Sequence, residues 1–118
     1  MMTRGLRDQE NIRINNILSR VMSLIPDQKS ALDDELKGLA MTLDVLSQMS
    51  PAELIEHISR LHFDAANTEL FADFLILQSQ SDAENKNLQE KAKVLYQQIQ
   101  SESSIYSVAI QNKLQALN

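Results

Sequence analysis

The 118-residue sequence has no cysteine and no tryptophan, and only two glycines, two prolines, three phenylalanines and two tyrosines. Without cysteine the chain has no disulfide, thiolate metal ligand or cysteine nucleophile, which suits a reducing compartment. Because tight turns need glycine and proline, their shortage argues against a β-rich fold. The scarcity of aromatic side chains predicts an aliphatic core, as is common where helices pack on helices.

Long hydrophobic stretches are also missing. The longest uninterrupted run of aliphatic or aromatic residues is 74–77, far short of the roughly 20 residues that a membrane-spanning helix needs. The polar start, 1–16, contains arginines but lacks the apolar segment of a signal peptide. We therefore expect a soluble, cytoplasmic protein without membrane contact.

The charge is unevenly distributed along the chain. The net charge is −5, but residues 27–84 carry −9 and the segments on either side carry +2 each. An acidic middle repels phosphate backbones, so the sequence disfavours nucleic-acid binding.

Apolar residues recur at spacings of three and four along almost the whole chain, which places each set on one face of a helix. This pattern predicts an all-α fold of five or six antiparallel helices in a single domain, 1–118, with residues 1–7 flexible. The expected helices are about 8–25, 28–48, 51–61, 64–80, 83–101 and 104–117. One long helix over 83–117 is the alternative for the last two, because the apolar register continues across them.

Helix boundaries have local chemical signals. Ser50-Pro51-Ala52-Glu53 is a capping box with proline at the first helical position. Asp64 is suited to cap the following helix. Both starts are therefore predicted from side-chain chemistry and not only from periodicity.

Residues capable of catalysis or metal binding do not converge. His57 and His62 lie five residues apart, so on one helix they point about 140° from each other. The run 33–35 is acidic, but neighbouring positions on a helix diverge by about 100° each. No nucleophile elbow or phosphate-binding loop is present in the sequence. We expect no catalytic residue, metal or cofactor, and hence a protein that is not an enzyme.

Several segments resemble known helical proteins. Phe71-Ala72 and Ala92 with Tyr96 are similar to the large and small packing residues of a tetratricopeptide hairpin. The order of the segments at 50–55, 70–75, 91–96 and 102–107 resembles an uncharacterised bacterial family of small tetratricopeptide-like helical proteins. The resemblance covers about residues 12–117 and implies helical hairpins with no known activity.

The function predicted from these features is a non-catalytic protein–protein interaction module of unknown partner. The resemblance implies that Glu69 and Asp73 lie on the exposed face of the first hairpin helix. There they would form an acidic strip for a basic or amphipathic peptide.

The alternative is a structural homo-oligomer, possible as a homodimer, formed by helix packing. Apolar residues occur on more than one side of the last predicted helix, where a second copy of the chain could cover them. The candidate partner-binding residues from both hypotheses are Glu69, Asp73, Ile105, Val108, Ile110 and Leu114.

Overall fold

The structure, a computed structural model, describes residues 2–24, 28–81, 87–102 and 108–117, with side chains from Asp8 onward. These residues form seven α-helices, a short 3-10 helix at Lys37–Leu39 and no strand, which confirms the all-α class. The helices are α1 Met2–Ser23, α2 Lys29–Leu36, α3 Leu43–Gln48, α4 Pro51–Arg60, α5 Ala65–Ser81, α6 Asn87–Glu102 and α7 Val108–Ala116. Helix α1 thus begins at Met2.

Helix α5 lies at the centre of the fold. It packs most extensively against α6 and also against α1, while α7 packs on α6. Ala72 of α5 and Ala92 of α6 are both fully buried, and their small side chains suit the close approach of these two helices. The rest of the core is mainly leucine and isoleucine, as the composition predicts. Its largest fully buried side chains include Phe71, Ile14, Leu18, Leu32, Leu36, Leu39, Leu46, Leu54, Leu75, Leu88, Leu95 and Ile110.

The helix expected over 28–48 is interrupted. After α2 and the 3-10 helix, Ala40 adopts a left-handed conformation with φ of 57°. The hydroxyl of Thr42 then accepts a hydrogen bond from the Val45 N–H and caps α3. Asp33 Oδ1 accepts a further hydrogen bond from the Leu43 N–H at 2.8 Å. These contacts stabilise a new helix start where periodicity alone predicts continuity.

Helices α6 and α7 run in opposite directions. Gln89 Nε2 lies 3.5 Å from the carbonyl oxygen of Leu117. In one continuous helix these residues would be about 40 Å apart. The described residues therefore support two helices and not a single one over 83–117.

The start of α4 confirms the predicted capping box. The Ser50 hydroxyl accepts from the Glu53 N–H at 3.1 Å, and Glu53 Oε1 accepts from the Ser50 N–H at 2.9 Å. Proline stands at the first helical position, where its missing N–H costs no hydrogen bond.

We expect Ser50→Ala to lower the free energy of unfolding by about 1 kcal/mol, because the Glu53 N–H loses its capping acceptor. Urea unfolding followed by circular dichroism measures this loss. Ser59→Ala, at an exposed position within the same helix, is the control and should change stability by less than about 0.5 kcal/mol. Equal losses in the two variants would contradict the capping role.

A cluster of amides joins α1 to the start of α5, and we call it the Asn67 clamp. Asn67 is 2% exposed, and its Nδ2 donates to both the carbonyl oxygen and Oδ1 of Asn11 at 3.0 Å. Asn15 Nδ2 donates to Asn67 Oδ1 at 3.1 Å. Asp64 Oδ1 accepts from the Asn67 N–H at 2.8 Å, as in a capped helix start. The clamp thus fixes the position of α1 along α5.

Candidate functional site

Glu69 and Asp73 lie one turn apart on α5 and share one cation. Lys113 Nζ of α7 is 2.5 Å from Glu69 Oε2 and 3.1 and 3.2 Å from the two carboxylate oxygens of Asp73. The three side chains are only about one-third exposed, at 35% for Lys113, 33% for Glu69 and 29% for Asp73. Partial burial reduces the screening that weakens such pairs at a fully exposed surface.

Tyr96 of α6 completes this group, which we call the Lys113 cluster: Lys113, Glu69, Asp73 and Tyr96. The Tyr96 hydroxyl donates to Asp73 Oδ1 at 2.5 Å, and Lys113 Nζ lies 5.8 Å from the centre of the Tyr96 ring. Burial, followed by the hydrogen bond to Asp73, raises the pKa of Tyr96, so the hydroxyl stays a donor.

The cation of the cluster keeps its charge at neutral pH. Burial alone would lower the pKa of Lys113, but the hydrogen bonds to Glu69 and Asp73 raise it overall. With two carboxylates and one ammonium, the Glu69–Asp73–Lys113 group has one negative charge in excess.

An apolar groove adjoins the Lys113 cluster. It has a volume of about 420 Å³ and lies between the end of α1 and the end of α7, over α5. Leu77 is 42% exposed, and the half-buried side chains of Met22, Ile76 and Leu117 pack partly against the core. Asp73 and Lys113 also line this α1–α7 groove. Apolar and acidic groups therefore face the same opening.

A smaller cavity of about 280 Å³ lies between α4, α5 and α6. Ile55, Ile58, Phe63 and Ile99 supply its apolar lining, with Ser59, Thr68, Gln98 and Glu102 as the main polar groups. The Thr68 hydroxyl donates to the Asp64 carbonyl oxygen at 2.8 Å, and Gln98 Nε2 donates to Glu102 Oε1 at 2.5 Å. Both hydrogen bonds join residues four positions apart in the chain, so they stabilise helices and do not indicate a ligand.

Lys91 of α6 is a buried charged residue with a structural role. It is 3% exposed, and its Nζ donates to the carbonyl oxygen of Ser47 near the end of α3 at 3.1 Å. Burial lowers the pKa of Lys91. A lysine at this position satisfies a carbonyl oxygen near the helix end and is favoured by the helix dipole.

Four of the candidate partner-binding residues are less exposed than the sequence predicts. Glu69 and Asp73 do lie together, but Lys113 pairs with both of them and leaves each side chain only about one-third exposed. Ile110 is 1% exposed and belongs to the core, where it is not accessible to a partner. Leu114 also packs partly against the core. The pairing of the carboxylates with Lys113 and the burial of Ile110 both arise because α7 packs on α6 and reaches α5 through Lys113.

The remaining two candidate residues from the sequence are Ile105 and Val108. Val108 is 63% exposed, as a partner contact requires, whereas Ile105 lies outside the described residues.

Lys113 and Leu77 belong to the site but are not predicted from the sequence, and Tyr96 is predicted only as a packing residue. A signal for Lys113 exists, because it lies between Ile110 and Leu114 on one helix face and interrupts an otherwise apolar stripe. Leu77 has no such signal, since α5 carries apolar residues around most of its circumference.

The two histidines lie in different local settings. His57 lies on α4, with Nε2 2.9 Å from the carbonyl oxygen of Leu39. His62 lies beyond the end of α4 in a left-handed conformation with φ of 60°. Within the described part of the chain, no group of three or more histidine, cysteine, aspartate or glutamate residues is placed to hold a metal ion. No helix in the same residues is long and apolar enough to cross a membrane.

Comparisons with protein-family models, with curated proteins and with solved structures give no match to this chain.

Proposed function

We propose that the protein is a non-catalytic interaction module that binds a basic, amphipathic helix in the α1–α7 groove. The observation that carries this proposal is the position of Leu77, exposed in an apolar groove that also contains Asp73 of the Lys113 cluster. An amphipathic helix binds such a groove through its apolar face, and charges at its edge fix the orientation. The lack of cysteine agrees with the cytoplasmic setting that we include in the proposal.

Charge complementarity decides the chemistry of the partner. The Glu69–Asp73–Lys113 group has one excess negative charge, and residues 27–84 have a net charge of −9. A helix with lysine or arginine beside its apolar face therefore associates faster and in a preferred orientation, whereas an acidic helix is repelled. The groove is small for a protein interface, so we expect a weak, transient complex.

The architecture we propose for this module is tetratricopeptide-like. The pairing of α5 with α6 through buried Ala72 and Ala92 supports it. In this arrangement α5 is the hairpin helix that presents Asp73 and Leu77 to the partner. The relation to a small bacterial family of such proteins is part of the same proposal.

Self-association through α7 has less support and is not proposed. Ile110 is buried, and Leu114 and Leu117 pack against the core. Among the described residues of α7, the large apolar side chain left exposed is Val108.

The test uses a synthetic amphipathic helix with leucines on one face and lysines along its edges, and measures binding by fluorescence anisotropy. We expect Leu77→Lys to weaken binding by about tenfold or more, because it removes apolar contact and adds a like charge. Val45→Lys is the matched control, because Val45 is similarly exposed at 40% but lies on α3. A second control is the same peptide with glutamate in place of lysine, which should not bind.

Equal weakening by Leu77→Lys and Val45→Lys would show that the peptide binds the acidic surface in general, and it would overturn the assignment of the groove. No effect of Leu77→Lys would do the same. The expected complex is also weaker in high salt, because the charged edge is partly exposed to solvent.

A further inference from the structure

Helix α7 is seated on the α5–α6 pair in the manner of a bound helix. Its contacts come from Ile110, Lys113, Leu114 and Leu117, which are spaced i, i+3, i+4 and i+7. This is the spacing by which amphipathic helices anchor themselves in grooves of other proteins. Ile110 is fully buried, and Lys113 enters between the two carboxylates of α5. The surface under α7 therefore accepts a helix of this pattern.

Among the residues that the structure describes, few groups hold α7 in place. It has nine residues, fewer than the roughly 12–15 that an isolated helix needs to be even marginally stable. Ile110 is its one residue with a buried side chain among those described. The other contacts are half-buried leucines, the charge contact of Lys113 and a long hydrogen bond from Gln89 to the Leu117 carbonyl oxygen. Elements with so little buried apolar surface open locally more readily than the core.

The charge of the seat is not fully balanced by its present occupant. One ammonium faces two carboxylates, Glu69 and Asp73. A guanidinium has the same single charge, but its planar fork of donors can form hydrogen bonds to both carboxylates at once.

We infer that the partner helix binds by replacing α7, with its own lysine or arginine between Glu69 and Asp73 and apolar residues at positions −3, +1 and +4 from that base. This inference rests on the proposed function and specifies its partner and its regulation. Once α7 has left, the α1–α7 groove loses the wall formed by Lys113, Ala116 and Leu117, and its remaining part joins the seat of α7 in one open site. In the free protein α7 competes for that site and weakens binding.

The test uses the 118-residue chain, labelled with ¹⁵N, and an unlabelled synthetic peptide with the sequence of residues 108–118. Because only the protein is labelled, its own α7 is observed separately from the identical peptide. We expect the amide signals of residues 108–117 to move to unfolded positions as the peptide binds. A peptide with glutamate in place of the central lysine should produce no change.

Affinity gives the second measurement. Lys113→Ala releases the acidic pair from α7 and should tighten binding of the lysine-containing peptide by about five- to tenfold, because a larger fraction of the protein has an open site. Lys113→Arg keeps the contact and should not tighten binding. Leu114→Ala weakens the seating of α7 without changing the charges, and it should also tighten binding if Lys113→Ala fails to fold.

The outcomes separate this inference from the proposed function. Replacement of α7 is wrong if a peptide binds while the α7 signals stay in place, or if neither Lys113→Ala nor Leu114→Ala tightens binding. In either case the peptide binds beside α7, as the proposed function states. If neither this peptide nor the leucine–lysine peptide binds any variant, the proposed function itself fails. Light scattering of Lys113→Ala without peptide provides a further check. A dimer would show that α7 exchanges between two copies of the chain, and it would overturn the inference that a different protein supplies the helix.

Discussion

Replacing Phe71 with alanine is expected to lower the free energy of unfolding by about 3–5 kcal/mol, enough to unfold much of a marginally stable population. Phe71 is fully buried on the central helix α5. Its ring packs edge to face on Phe63, with 5.9 Å between centroids, and beside Phe74 at 6.2 Å. Truncation removes these contacts and leaves a cavity between helices that cannot fully collapse. Urea unfolding of the purified variants measures the change.

Two controls separate the cavity from a general effect of substitution. Phe71→Leu retains most of the volume and should cost less than Phe71→Ala. Ile12→Ala, at a position that is 61% exposed, should change stability by less than about 0.5 kcal/mol. A Phe71→Ala loss as small as that of Ile12→Ala would contradict the central position of α5 in the core.

Asn67→Asp is expected to lower the free energy of unfolding by about 3 kcal/mol at pH 7, although the two side chains have nearly the same shape. The substitution replaces the amide donor of the Asn67 clamp with a carboxylate oxygen. That oxygen would face the carbonyl oxygen and Oδ1 of Asn11, which now accept hydrogen bonds from Asn67 Nδ2. A buried charge and the loss of both hydrogen bonds act in the same direction.

The pH dependence of this loss identifies its cause. Burial raises the pKa of the new carboxyl group, whose protonated form can still donate to Asn11. Stability is therefore retained below the unfolded pKa of about 4 and falls as the pH rises through the higher folded pKa. Relative to the unsubstituted protein, the deficit should shrink between pH 7 and pH 4. Thermal or urea unfolding at both pH values measures it.

Asn16→Asp is the matched control, because it makes the same chemical change at an exposed position of α1. We expect it to alter stability by less than about 0.5 kcal/mol at either pH. A deficit for Asn67→Asp that is independent of pH would contradict the buried-carboxylate explanation.

The sequence predicts best those parts of the fold whose chemistry is local. The start of α4 follows from Ser50 and Glu53, which satisfy each other's backbone within three residues. The interruption after α2 is harder to predict, because a left-handed Ala40 has no residue signature of its own. Thr42, the cap of α3, is a residue type that favours a helix start. The apolar spacing continues through it, however, so periodicity predicts one continuous helix.

In the candidate site, too, local features can be predicted from the sequence and long-range contacts cannot. Glu69 and Asp73 are four residues apart, so helical geometry alone places them side by side. Their pairing with Lys113 spans 44 and 40 residues and depends on how α7 packs. Periodicity identifies the apolar face of α7 but not which neighbouring helix it contacts. For that reason the sequence predicts the two neighbouring carboxylates but not their pairing with Lys113.

The hydrogen bond from Tyr96 to Asp73 has a consequence for any helix that enters this site. Because Tyr96 belongs to α6, it orients the Asp73 carboxylate independently of α7. The acceptor is thus preorganised on the α5–α6 pair, and binding need not first restrict the rotation of that side chain. Most of the ordering entropy of the complex then falls on the incoming helix, so a partner that is already helical in isolation has the advantage over a disordered one.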